Sequence, residues 1–285
     1  MRAFAAAAAA IVVAACSGTE PAPIPKGFVP LLQGDWSLPP GEEGYFCVRA
    51  TPAEDMYIRS YRPIAPIGTH HTALAFDLMG GADGSFPCEA RDAGFRFLFG
   101  SGLGTETYTL PDGVAMKLPA GEQIMLNLHL YNTSDAVLTG TSGVEIERVA
   151  PEDVVHEAEV IYALNFDLNA PPGVSKTVGE CTVDGNSTIF GTFPHMHRLG
   201  THLKGAVMRG DSPILFHDEP YNFETQLNYR VGPIDVMRGE KVQYECTFDN
   251  PTGQTVSFGD STDSEMCVLG MYRYPARGSV SLCIN

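Results

Sequence analysis

Gly121-Glu122-Gln123-Ile124-Met125-Leu126-Asn127-Leu128-His129-Leu130-Tyr131-Asn132 starts on a turn glycine, alternates along a strand and ends on an asparagine that opens the next turn. It aligns without a gap on Gly239-Glu240-Lys241-Val242-Gln243-Tyr244-Glu245-Cys246-Thr247-Phe248-Asp249-Asn250. Side chains change face at every residue of a strand. Ile124, Leu126, Leu128 and Leu130 therefore form one apolar face, and Met125, Asn127, His129 and Tyr131 look the other way. His129 points away from the core of its own half, while Cys246 takes an inward place that suits a buried disulfide. A unit used twice argues for two β-sandwich domains of one ancestry; the alternative is two unrelated hairpins converging on one pattern.

The rest of the chain agrees. From residue 45 onward strand-like runs are punctuated by Gly, Pro and Asp, with no long segment of helical periodicity, so the fold class is all-β. Val149-Ala150-Pro151-Glu152-Asp153 interrupts the strands and sets the expected domains at 35–152 and 153–285. A length of 285 residues accommodates both.

Residues 1–16 carry Arg2, an alanine-rich apolar run and Val13-Ala14-Ala15-Cys16, the pattern of an export signal rather than a membrane span. Cysteine at that position resembles the lipobox of bacterial lipoproteins, with Cys16 lipidated, residues 17–34 as a tether, and the protein in the outer membrane or cell envelope. The other six cysteines are Cys47, Cys88, Cys181, Cys246, Cys267 and Cys283. An even number in an exported chain implies disulfides, although sequence alone permits fifteen pairings. If the halves are separate domains, Cys47 pairs with Cys88 and three arrangements of the others remain. Net charge is -16, from 34 acidic and 18 basic residues, which excludes nucleic acid and anionic lipid as partners. Contact with a membrane is expected only through the lipid anchor.

The eight histidines are not spread evenly. Phe193-Pro194-His195-Met196-His197 has strand character, so a spacing of two puts both imidazoles on one face. Met266, in Glu265-Met266-Cys267, offers a thioether, a poor ligand for zinc or calcium and a good one for copper. In the first half, Gly68-Thr69-His70-His71-Thr72 precedes the apolar run Ala73-Leu74-Ala75-Phe76, and His129 lies on another strand. Adjacent residues on a regular strand face opposite ways, so His70 and His71 share one ion only if the backbone bulges there. Three imidazoles alone hold copper or zinc equally well. Taken singly, each piece has a bland explanation as solvated face or core, and it is their joint occurrence that points to metal. His156, His202 and His217 have no partners at useful spacing. Gly100-Ser101-Gly102-Leu103-Gly104 reads as a turn, because no helical pattern follows it to make a phosphate cradle. Arg209-Gly210-Asp211-Ser212-Pro213 reads as a hairpin turn, and no serine nucleophile elbow is present.

Taken together, His70-His71, Leu128-His129-Leu130-Tyr131, His195-Met196-His197-Arg198-Leu199-Gly200 and Glu265-Met266-Cys267 resemble the copper type II, ascorbate-dependent monooxygenases over roughly residues 35–285. That family includes peptidylglycine α-hydroxylating and dopamine β-monooxygenases. The resemblance implies two tandem jelly-roll domains facing each other across a solvent-filled cleft, with disulfides Cys47–Cys88, Cys246–Cys267 and Cys181–Cys283. It implies two mononuclear copper sites. His70, His71 and His129 would hold an electron-storing copper, and His195, His197 and Met266 the oxygen-activating one. No catalytic residue is expected beyond these ligands. The implied reaction hydroxylates a C–H bond of a small organic substrate with dioxygen and a one-electron reductant such as ascorbate, by a monomeric enzyme. Two positions depart from the peptide-hydroxylating members: Phe193 replaces an arginine and Gly270 a tyrosine, both contacts to the substrate rather than to copper. Arg198 stands where animal members usually have a third histidine. The runner-up is a non-catalytic copper-binding or copper-storing lipoprotein that kept the ligands; a third alternative is a glycan-binding protein whose histidines are incidental.

Overall fold

The structure, a computed structural model, describes residues 24–93, 96–210, 212–278 and 282–284. The export signal, Cys16 and the first part of the tether lie outside the described residues. The tether is shorter than expected, because residues 28–34 belong to the strand Phe28–Leu38. That strand pairs along its length with Leu138–Val149 and sends Leu32 and Trp36 into the core.

The fold is all-β, apart from two short 3-10 turns at Ala90–Ala93 and Pro151–Asp153. One long sheet runs through both halves. Phe28–Leu38, Leu138–Val149, Met56–Ile64 and Val114–Leu118 come from the first half; His156–Leu164, Val268–Tyr274, Ser187–His195 and Tyr229–Val236 come from the second. The join is a parallel ladder matching His156 to Val114, Glu157 to Ala115 and Ala158 to Met116. A five-stranded sheet covers the first half of this long sheet and a four-stranded sheet the second, so each half is a sandwich around its own core. Ile58, Tyr61, Leu74 and Leu126 are fully buried in the first core, and Leu203, Tyr244, Phe248 and Leu269 in the second. The first core also takes in Tyr162, Phe193 and Tyr272 from the second half, so apolar packing as well as hydrogen bonding crosses the join.

The sequence repeat is a structural repeat. Ile124–Tyr131 and Lys241–Asn250 are central strands of the two covering sheets. Asn132 and Asn250 close them identically. Asn132 Nδ2 donates to the carbonyls of Leu38, Pro39 and Ala136, while its Oδ1 accepts from the backbone and hydroxyl of Ser134. Asn250 Nδ2 donates to Ala170 and Gln254, and its Oδ1 accepts from both groups of Thr252. The duplication also extends to Gly68-Thr69-His70 and Gly200-Thr201-His202, each at the head of the strand beside that central one. The pairing slips at the same place in both: between Thr69 and His71 against Leu130 and His129, and between Gly200 and His202 against Phe248 and Thr247.

All three disulfides join the cysteines that the family resemblance implied: Cys47–Cys88, Cys181–Cys283 and Cys246–Cys267. Arg209 pairs with Ser212, as a hairpin requires. The glycine-rich segment is part strand and part turn: residues 100–102 complete the strand Phe97–Gly102, and the expected turn falls at 103–104, with Gly104 at φ +81. In the strand the missing side chains have a packing reason: a Cβ on Gly100 would sit 2.5 Å from the Phe193 ring, and one on Gly102 would sit 2.6 Å from the Gln226 backbone nitrogen.

Candidate metal centre

The first histidine group is built by a bulge and a glycine. Gly68 has φ +100 and packs under the Trp36 ring, where a Cβ would come within 2.6 Å. Just beyond it the register slips at His70, and the extra residue turns both neighbouring imidazoles to one side. His71 then lies directly across from His129 on the Ile124–Tyr131 strand. The result is a convergence of three Nδ1 atoms: His70 to His71 at 3.1 Å, and His129 to His71 at 3.3 Å. The outward face of the central strand is buried as far as His129, which is 1% exposed, because Tyr45 stacks on His129 and the Glu89 segment packs over Asn127.

Tautomers follow from the partners. His129 Nε2 donates to Glu43 Oε1 at 2.6 Å, which leaves its Nδ1 with a lone pair pointed at the others. His70 Nε2 lies 3.2 Å from Glu224 Oε2. Tyr45 stacks on the His129 ring with centroids 4.5 Å apart and fixes its plane. Burial lowers the pKa of all three, with His129 at about 4 and His71 well below its ordinary value; neighbouring imidazoles push these two further the same way. Near neutral pH three buried, uncharged rings thus aim lone pairs at one point, an arrangement that repels itself unless a cation or proton lies between them.

The second group uses the opposite nitrogen. His195 closes the strand Ser187–His195, while His197 lies beyond its end, so strand alternation alone does not align them. Their rings nevertheless meet, with centroids 5.3 Å apart and planes at 89°. His195 Nδ1 donates to Gln226 Oε1 at 2.8 Å and His197 Nδ1 to the Ser264 carbonyl at 3.0 Å, so both present Nε2 lone pairs. Burial holds His197 at about 3 and lowers His195. Met266 lines the same cavity as both rings.

What holds His197 beyond its strand is Glu265. Fully buried, it accepts backbone N–H groups from His197 at 3.0 Å, Leu199 at 2.6 Å and Met266 at 3.2 Å. Burial raises its pKa to about 6, against the three hydrogen bonds that pull it down. Tyr221 secures the intervening residue through its hydroxyl, 2.5 Å from the Met196 carbonyl. The Cys246–Cys267 bridge anchors the chain one residue past Met266.

The cleft between the two groups is narrow at the histidines. His71 and His195 ring centroids stand 6.2 Å apart, and Gln226 lies between them, its Nε2 3.5 Å from His71 Nδ1. A cavity of about 420 Å³ opens beside them, lined by both groups. Phe193 and Gly270 prove to be register partners on adjacent strands. A Cβ on Gly270 would fall 2.7 Å from the Phe193 carbonyl oxygen. Arg198 reaches toward Asp263 at 3.9 Å and its charge further lowers His70 and His129.

Of the histidines set aside from the sequence, His156 stacks on Tyr274, His202 approaches Asp218 at 3.1 Å, and His217 is buried against Thr192. Sequence reasoning missed Glu43, Gln226 and Glu265. Glu265 was within reach, being a carboxylate next to Met266 where the polar run 260–264 gives way to the apolar run 266–269. Nothing local marks Gln226, 31 residues from the ring it holds.

Residues 165–285 match the family described as copper type II ascorbate-dependent monooxygenase, C-terminal domain. No curated protein matches the sequence. Similar solved structures include A223, a turret protein in Sulfolobus turreted icosahedral virus, at 10% identity, covering 85% of this chain and 98% of that one with a TM-score of 0.23. Another is the major capsid protein P2 from bacteriophage PM2, at 6% identity, covering 87% and 100% with a TM-score of 0.30. Likeness that faint carries no argument about this chain. The second half of the chain, which carries the disulfides Cys181–Cys283 and Cys246–Cys267, is thus similar over residues 165–285 to the C-terminal domain of the copper type II, ascorbate-dependent monooxygenases.

Proposed function

We propose that this protein is a two-copper monooxygenase that hydroxylates a C–H bond of a small organic substrate, with dioxygen and a one-electron donor such as ascorbate. The observation that carries the proposal is the pair of opposed nitrogen sets, three Nδ1 in the first half and two Nε2 in the second, the latter on a cavity that Met266 also lines. His70, His71 and His129 fit an ion that changes oxidation state without changing ligands, while Met266 with His195 and His197 favours the reduced ion. Copper, when bound, supplies the one-electron chemistry that dioxygen activation needs.

The chain's own residues do the rest. Glu43 and Gln226 fix ring tautomers and orientation, and Glu265 sets the position of His197 and Met266. Tyr162, Phe193 and Val268 keep water from the wall of the cavity where substrate would lie. We place the first copper domain at 35–152 and the second at 153–285, and the mature protein as a monomer lipidated at Cys16 in a bacterial envelope.

Copper stoichiometry, measured together with oxygen uptake in the presence of ascorbate and a library of small C–H donors, tests this. Two coppers per chain with substrate-dependent uptake is the expected result. Two coppers without turnover would favour a copper-binding protein, the alternative kept open by the replacement of two substrate contacts at the paired positions Phe193 and Gly270. Absence of stoichiometric copper would sink both.

A further inference from the structure

The cavity beside the two histidine groups has a chemical character of its own. Phe97, Tyr162, Leu164, Phe193, Phe223 and Val268 supply apolar wall, and no lysine or arginine among the described residues lines it. Beside the histidines, its polar side chains Thr72, Asn127 and Gln226 are already engaged. Thr72 Oγ1 lies 2.7 Å from Ser101 Oγ, Asn127 Nδ2 donates to the Glu89 carbonyl at 3.0 Å, and Gln226 Oε1 is taken by His195. The charged lining residue is Asp260, exposed to solvent. Phe193 and Gly270, opposite each other in register, determine this wall together: the phenyl ring spans to Gly100 of the first half, and the missing side chain at 270 leaves Tyr162 and the Phe193 backbone in place.

A carboxylate entering here would lose its water and meet no buried cation among the described residues, and an ammonium would find the Nε2 lone pairs of His195 and His197 taken once copper is bound. Attraction from Asp260 is weakened by the solvent around that carboxylate. An uncharged apolar body loses nothing polar and buries its surface against aromatic rings.

From this we infer that the substrate of the site is an uncharged, largely hydrocarbon molecule carrying neither carboxylate nor ammonium, and that Phe193, with Gly270 opposite it, is the specificity-determining position. The inference rests on the monooxygenase reading for the word substrate, but the binding preference is measurable without copper.

The test is calorimetric titration of the full mature chain, copper-free and copper-loaded, with three probes on one skeleton: indane, 2-aminoindane and indane-2-carboxylate. Indane should bind at least about tenfold more tightly than the acid in both forms, and than the amine in the copper-loaded form. Equal or tighter binding of the charged probe in any of these comparisons would overturn the inference, as would failure of indane to bind. F193R should reverse the order for the acid by about tenfold or more, a charged group then having a buried partner. Circular dichroism checks its fold. Should it misfold, F166R, at the half-exposed rim of the same cavity, takes its place and should raise affinity for the acid; unchanged selectivity in a folded variant counts against the assignment. Failure of the copper reading looks different: indane binding intact on a chain that takes up no stoichiometric copper.

Discussion

Glu265 shows how much one buried carboxylate can organise. With three backbone donors on it, the two chain segments that bring Met266 and His197 together are tied through a single side chain. Glu265→Gln keeps the shape but replaces one acceptor oxygen with a donor that faces backbone N–H. Copper affinity at the second site should fall about 10- to 100-fold, as for other supports of metal ligands, while the first site keeps its copper. X-ray absorption should report loss of the sulfur scatterer. Titration adds a second expectation. Six buried or half-buried histidines, His217 included, have pKa values held below the ordinary one. On lowering the pH from about 6.5, the unfolded chain takes up protons that the folded chain refuses, so stability falls toward pH 4. Glu265 works oppositely, its raised pKa favouring the fold at low pH and losing that contribution as pH rises through about 6. One group against six does not reverse the sign. Thermal melts of copper-free protein between pH 7 and 4 should show a falling midpoint.

Single strands show what the sequence could and could not reveal. The alternation in Ile124–Tyr131 announced both the strand and the direction of His129, because a period of two is a property of the backbone. It could not announce that Asn127 and His129 on the outward face would be buried too, since that depends on Tyr45 and the Glu89 segment, distant in sequence, packing over them. The His-His pair required a bulge, and the register slip supplies one. His197 was placed beside His195 on the assumption of a strand that in fact ends at His195; the spacing succeeded because Glu265 holds the following turn. The glycine-rich run was legible only in part, because Gly104 serves a local turn while Gly100 and Gly102 answer to contacts from the other half. Two measurements follow. Asn132→Ala or Asn250→Ala removes a buried amide that closes a strand, and each should cost about 2–4 kcal/mol in denaturant unfolding. Gly102→Ala forces a Cβ toward the Gln226 backbone and should lower copper occupancy at the second site through His195, with the melting temperature reduced as well.

Across the whole molecule, covalent bonds carry weight that burial alone would not. Cys181–Cys283 spans 102 residues of sequence and ties the end of the chain to the strand Gly173–Thr182. In the chain-entropy account a loop of this size contributes about 4.7 kcal/mol and the 21-residue Cys246–Cys267 loop about 3. Replacing both cysteines of the longer loop by alanine should therefore lower overall stability more than opening the shorter one. Opening the shorter one should do more harm to copper binding, because it frees the residue beside Met266. Equilibrium unfolding and copper titration on the two paired-alanine variants separate these effects.

The parallel ladder of His156, Glu157 and Ala158 against Val114, Ala115 and Met116 also sets the mechanics. Sliding one sandwich along the other would break every rung, and turning them apart would pull Phe193 and Tyr272 out of the first core and part Gly102 from Gln226. The two halves are thus bolted like the jaws of a fixed gauge, and the 6.2 Å between the His71 and His195 rings is a dimension set by that frame.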